Sequence, residues 1–170
     1  VTELKIGDGF SPDVHIGPMI HNGAIESARS FVKDAKQKGG VILTGGHAID
    51  DHFFEPTIIG NAHDAMRCFT EEIFGPIAPI YKFSTDEEAV RMANDTIYGL
   101  ASYFYSENMS RCWKIAEALE YGMVGINEGI ISTEVAPFGG IKFSGQGREG
   151  SKYGIEDYLD IKYMCFGNII

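Results

Sequence analysis

Residues 137–150 read PFGGIKFSGQGREG, and how this stretch is taken decides the fold. Its second half holds a literal G-x-G-x-x-G at Gly145, Gly147 and Gly150. In a dinucleotide-binding domain that pattern cradles a pyrophosphate, and it needs a buried strand before it and a helix directly after it. It also needs an acidic residue about 20 positions further on for the ribose. None of these is in place. PFGGIKFS is too broken by glycine and proline to be a buried central strand. SKYGIEDYL, which follows, is interrupted by Gly154, and the sequence stops at Ile170, short of the roughly 30 residues of a βαβ unit. The match is read as a coincidence, and the five glycines between Pro137 and Gly150 need another explanation.

Outward from that stretch, periodic segments alternate. Ala24, Ile25, Ala28, Phe31, Val32 and Ala35 recur at helical spacing, and Gly39-Gly40 stops them, so the spacing predicts a helix over 24–38. VILT at 41–44 reads as a short buried strand. FFEPTII at 53–59 reads as extended, with Pro56 suggesting an edge or an irregular strand. PIYKF at 79–83 is a further strand candidate. In STDEEAVRMAND, Ser84 or Thr85 with Glu87 or Glu88 three residues on forms a capping box that opens a helix. A strand over 100–106, a helix over about 108–121, a strand over 123–127, a long glycine-rich loop and the alternating YLDIKYMCF complete the chain. Strands alternating with helices predict an α/β fold, a mostly parallel sheet with helices on both faces. Ligands in such folds bind beyond the carboxyl ends of the strands, which directs attention to the loops after Asn127 and before Phe83.

Bulk properties narrow the function. The 170 residues are 44% hydrophobic with a formal net charge of -10, which fits one domain or part of a larger one. A chain of this length can bury about 70% of its unfolded surface. The acidic balance argues against nucleic acid, whose phosphates need clustered Lys and Arg, and favours a small-molecule ligand. No run of 18 apolar residues suggests a membrane span. Cys68, Cys112 and Cys165 are an odd number at wide spacing without a secretory leader, so a reducing compartment is expected, the cytoplasm or the mitochondrial matrix. His47 and His52 lack the i, i+4 spacing of a zinc pair, and no metal site is expected. The first residue is Val1 and not Met, as in a chain that begins inside a longer one.

TEEIFGPIAPIYKF, GLASYFYS, GMVGINEG and PFGGIKFSGQGREGSKYGIEDYLDIKYM together resemble the C-terminal part of the aldehyde dehydrogenase superfamily. The likeness runs from LKIGDGF through IGPMI to the last predicted strand. NEGIIS at 127–132 tips it toward the succinate-semialdehyde branch. The resemblance implies a partial catalytic domain over 1–155 and an oligomerisation strand and tail over 156–170. It implies an NAD-dependent enzyme, with NADP as the alternative, acting on a small aldehyde as a homodimer or homotetramer. It also explains the glycines: in the family this segment walls the aldehyde tunnel and then runs toward a subunit interface, with the pyrophosphate held by an earlier domain.

Oxidising an aldehyde to an acid needs a thiolate nucleophile, a nicotinamide to take the hydride and a base to activate water. The family carries its nucleophile in a G-Q-x-C segment and its base in an E-L-G-G segment, and neither occurs in this sequence. None of the three cysteines is assigned the role. Cys112 shares a helical face with Ala116 and Leu119, and neither Cys68 nor Cys165 has a neighbouring His or helix N-terminus to lower its pKa.

By resemblance, Glu72 accepts hydrogen bonds from the nicotinamide ribose and Phe74 confines the nicotinamide, while the bland alternative is a solvated acidic turn beside a core aromatic. Ser132 is implied to reach the distal carboxylate of the substrate, where a small hydroxyl both makes room and donates a hydrogen bond. Phe138 is implied to line the tunnel and Glu149 to relay protons. Arg148 and Asp160 are the implied pair at the subunit interface. The arginines that neutralise the substrate carboxylate fall outside this chain, so other semialdehydes stay open as substrates. A different class also stays open: a non-catalytic relative that keeps the interface strand and serves as an interaction module, at the risk of aggregating through its uncovered sheet.

Overall fold

The computed structural model describes residues 1–168. Residues 169 and 170, the end of the expected tail, lie outside the described residues. The chain divides into two compact units, Val1–Phe83 and Ser84–Ile170. This division falls well before the 155/156 boundary implied by resemblance.

In the first unit, α1 spans Asn22–Gln37. His21 opens it, its Nδ1 accepting from Ala24 N at 3.1 Å. The periodic face found in the sequence is the buried one, and Ile25, Ala28, Phe31, Val32 and Ala35 pack with Phe54, Ile59, Met66 and Ile77. The strands β1 (Val41–Thr44), β2 (Thr57–Gly60) and β3 (Ile77–Pro79) form a sheet in that order. β1 and β2 pair antiparallel, β2 and β3 parallel. Between β2 and β3 lies the short helix α2, Arg67–Thr70.

Three strand expectations are corrected here. The strand expected to be buried at 41–44 is an edge strand, with Val41 and Leu43 exposed. Of the two readings of 53–59, the edge falls: β2 is the central strand and covers only Thr57–Gly60, with Pro56 just before its ladder, where its missing N–H costs nothing. The strand expected at 79–83 lies at 77–79. Pairing begins where Thr57 N donates to Pro76 O, and it closes with Ile80 N donating to Ile59 O.

In the second unit, α3 (Asp86–Asn94) opens on the expected capping box. Thr85 Oγ1 accepts from Glu88 N at 3.1 Å, and Glu88 Oε2 accepts from Ser84 N at 2.7 Å. β4 (Ala101–Phe104) and β5 (Met123–Ile126) pair in parallel, with α4 (Met109–Ala118) as the crossover. Cys112 of α4 is buried, as its helical face predicts.

The fold is α/β with largely parallel pairing, and among the described residues the strands form a three-stranded sheet and a two-stranded one. The antiparallel exception has a local cause. Parallel returns are usually built on a crossover helix, and the segment 45–56 between β1 and β2 contains no helix. The C-terminal YLDIKYMCF, expected as a strand, pairs with nothing among the described residues. Its alternation is a strand pattern without a ladder partner.

Candidate active site

The second unit builds its site at the carboxyl ends of β4 and β5. Just past β5, Asn127 takes a left-handed backbone, φ 56°. Its Oδ1 accepts from Ser106 N at 2.8 Å and its Nδ2 donates to Ser106 O at 2.8 Å, so one side chain ties the chain leaving β4 to the chain leaving β5. From there an exposed loop carries Ser132. The loop returns at Phe138, half-buried, which exchanges two backbone hydrogen bonds with Glu149: Phe138 N to Glu149 O at 2.8 Å and Glu149 N to Phe138 O at 2.7 Å. This pair holds the tunnel candidate beside the relay candidate, although the Glu149 side chain is exposed. An open pocket of about 740 Å³ lies against them, lined by Phe138, Gly139, Arg148, Glu149 and Asp157 among others.

The glycines between 145 and 150 serve the backbone. Gly145, Gly147 and Gly150 have φ of 109°, 78° and 64°, a region that disfavours side chains. A Cβ on Gly147 would also collide with Asp157 Oδ2. After Gly150 come turns and a single 3₁₀ turn at Glu156–Tyr158, not the helix that a pyrophosphate cradle requires.

Arg148 Nη1 donates to Gly140 O at 2.8 Å and Gly147 O at 2.6 Å, bracing the loop from within. Asp160 is exposed and outside any element. The implied interface pair is therefore not brought together within this chain. Sequence reasoning passed over Asn127 and Lys142. Both have positive φ without being glycine, a feature that residue patterns do not reveal.

In the first unit, two adjacent glutamates have different employments. Glu71 is held bidentately by Arg67, with Nε to Oε1 at 2.8 Å and Nη2 to Oε2 at 2.6 Å. The hydrogen bonds from that guanidinium hold the Glu71 carboxyl below its ordinary pKa. Arg67 is itself fixed, bonding Ser30 Oγ through Nη1 and lying 4.8 Å over the Phe31 ring. The Glu72 carboxylate makes no hydrogen bond or ion pair among the described residues, and Phe74 is 81% exposed. Phe74 helps line an open pocket of about 650 Å³ with Ile20, His21 and Phe54. An uncommitted carboxylate beside an exposed ring suits a ribose diol and a flat heterocycle, so these two residues fit the implied nicotinamide cofactor.

Cys68 is the second residue of the short helix α2, so the expectation that no helix N-terminus lies near it is corrected, and its Sγ stands 3.5 Å from Tyr81 Oη. Burial, and then the bond to Cys68, pushes the Tyr81 phenol well above its usual range. Among the described residues no group of three or more His, Cys, Asp or Glu is placed to hold a metal, and no helix is long and apolar enough to cross a membrane.

An α/β chain of this kind, with a glycine-rich wall beyond parallel strands, belongs to the aldehyde dehydrogenase family, whose sequence profile matches residues 1–164. Within that family it is similar to semialdehyde dehydrogenases. It is 52% identical to the mitochondrial succinate-semialdehyde dehydrogenase of Oryza sativa subsp. japonica, over 99% of this chain and 32% of that protein. It is 54% identical to the glutarate-semialdehyde dehydrogenase of Pseudomonas putida, over 97% of this chain and 34% of that protein. The crystal structure of succinate-semialdehyde dehydrogenase from Burkholderia pseudomallei superposes with a TM-score of 0.93 at 52% identity, covering 97% of this chain and 35% of that one. The chain thus spans about a third of the length of the relatives it matches.

Proposed function

We propose that this chain is part of an NAD(P)-dependent succinate-semialdehyde dehydrogenase, which oxidises succinic semialdehyde to succinate, the closing step in degrading 4-aminobutyrate. The observation that carries the reading is one continuous loop beyond β4 and β5. It bears a small hydroxyl, Ser132, and is closed by the paired Phe138 and Glu149, so recognition and proton handling share one support.

Ser132 would donate to the distal carboxylate of the substrate, and Phe138 would wall the aliphatic stretch and exclude water. Glu149, exposed beside Phe138, would pass the proton released when water attacks the acyl group. Glu72 would orient the cofactor by accepting from its ribose hydroxyls, and Phe74 would limit the swing of its ring. The nicotinamide, when bound, supplies the hydride acceptor. The nucleophilic cysteine and the general base belong to the G-Q-x-C and E-L-G-G segments of the family, outside these 170 residues. The assembly would be a homodimer or homotetramer, with Arg148 and Asp160 meeting between subunits. The mitochondrial matrix is the expected compartment in a eukaryote and the cytoplasm in a bacterium.

Glutaric semialdehyde is the second substrate to consider, because a relative with that name is as similar as the succinate enzymes. The test is to follow reduced cofactor formed by the full-length protein from succinic and from glutaric semialdehyde, with NAD and with NADP. Preference for succinic semialdehyde supports the proposal, and preference for the longer substrate transfers it to the other branch. No turnover of either would overturn it.

A further inference from the structure

Lys142 stands in the middle of the glycine-rich loop with φ 56°, a left-handed conformation that is strained for a non-glycine residue. Glycine would take that backbone without strain, and glycines flank it at 139, 140 and 145. Something in the side chain must offset the cost.

The Lys142 ammonium has three donors and finds three acceptors: Asn94 O at 3.0 Å, Thr96 O at 3.2 Å and Glu120 Oε2 at 2.7 Å. Those acceptors come from the end of α3, the connection into β4 and the chain just past α4. They are themselves joined, because Asn94 Nδ2 donates to Ala118 O at 2.8 Å and Asn94 Oδ1 accepts from Glu120 N at 2.9 Å. The backbone on either side of Lys142 docks on the same connection. Ile141 N donates to Gly99 O at 2.9 Å, Phe143 N donates to Ile97 O at 3.0 Å, and Gly99 N donates to Ser144 Oγ at 3.0 Å.

The geometry points to Lys142 as a positioning residue. Its ammonium pins the base of the loop to the α3–β4 and α4–β5 connections, and so sets where the Phe138–Glu149 pair stands relative to the strand ends. The inference rests on the dehydrogenase reading for its effect on turnover, but the clamp itself can be measured without it. Hydrogen bonds from a charged donor are roughly twice as strong as neutral ones, so three from one ammonium hold the base of the loop firmly.

The test uses the full-length protein with Lys142→Met, which keeps the length of the side chain and removes the charge, and with Glu120→Gln, which weakens the same clamp from an exposed surface position. Two readouts are taken. Amide hydrogen exchange at Phe138 and Glu149 should accelerate at least tenfold in Lys142→Met and less in Glu120→Gln. KM for the semialdehyde should rise about tenfold while KM for the cofactor stays put, since Glu72 and Phe74 belong to the other unit. Unchanged exchange in both variants would overturn the proposal. So would an equal rise in both KM values, which marks a general loss of structure. If the wild-type protein turns over no semialdehyde, the dehydrogenase reading falls and hydrogen exchange alone decides the clamp.

Discussion

Glu71 and Glu72 are adjacent in sequence and carry the same carboxylate, yet Arg67 engages only the first. That difference makes Glu72 the testable residue. Glu72→Gln in the full-length protein should raise KM for the nicotinamide cofactor about tenfold, the worth of one lost charge-assisted bond, and leave KM for the aldehyde unchanged. Steady-state kinetics with each substrate varied in turn checks this. Ser132 makes the complementary prediction on the substrate side. Ser132→Phe should lower kcat/KM for succinic semialdehyde by about 10- to 100-fold while sparing short uncharged aldehydes, because a hydroxyl partner and the room beside it are lost together. An equal loss on both aldehyde classes would remove Ser132 from the recognition of the carboxylate.

At the scale of elements, β2 and the turn after β1 share a buried hydroxyl. Thr57 is 2% exposed, and its Oγ1 accepts from Gly46 N at 2.8 Å while donating to Glu55 O at 2.7 Å. Thr57→Val keeps the shape and strands both groups, so unfolding by denaturant should show a loss of about 1–3 kcal/mol. In the second unit, α3 and α4 are joined by two ion pairs, Arg111 with Asp86 and Lys114 with Glu87. The Arg111 guanidinium holds the Asp86 carboxyl below its ordinary value, chiefly through its hydrogen bonds. A folded-state pKa below the unfolded one means stability present above the ordinary carboxylate range and lost as pH falls through the folded value. Asp86→Asn should therefore flatten the acid limb of a melting-temperature profile below about pH 4 and leave its neutral-to-alkaline slope unchanged. Both groups are partly exposed, so the effect at neutral pH should be small.

On the scale of the whole molecule, large apolar side chains stand in solvent: Trp113, Phe143, Tyr158, Ile161 and Phe166 are all more than two-thirds exposed. Apolar surface of this extent drives association. Residues 1–170 purified alone should elute above the monomer mass in size-exclusion chromatography and form no reduced cofactor from succinic semialdehyde. Turnover by that chain would show that one of Cys68, Cys112 and Cys165 serves as nucleophile after all. A clean inactive monomer would remove the argument from exposed surface and leave the one from the missing segments.

What the sequence determined by itself was local or carried by spacing. The helical face of α1 from Ile25 to Ala35, the capping box at Thr85 and Glu88, the extended backbone at 41–44 and 123–126, though not the exposure of the first of these, and the family resemblance are legible, because each rests on residues close along the chain or on a fixed motif. The coincidence of Gly145, Gly147 and Gly150 with a nucleotide fingerprint was also rejected from sequence, by the helix that should have followed. Tertiary packing alone fixes the central place of β2, the antiparallel turn of β1 and, among the described residues, the grouping of strands into a sheet of three and a sheet of two and the lack of a ladder partner for 159–168. It alone separated Glu71 from Glu72 and brought Lys142 to Asn94, Thr96 and Glu120. Strand partners and side-chain acceptors are chosen by groups dozens of residues apart, which compete in space, and a pattern read along one dimension does not contain that competition.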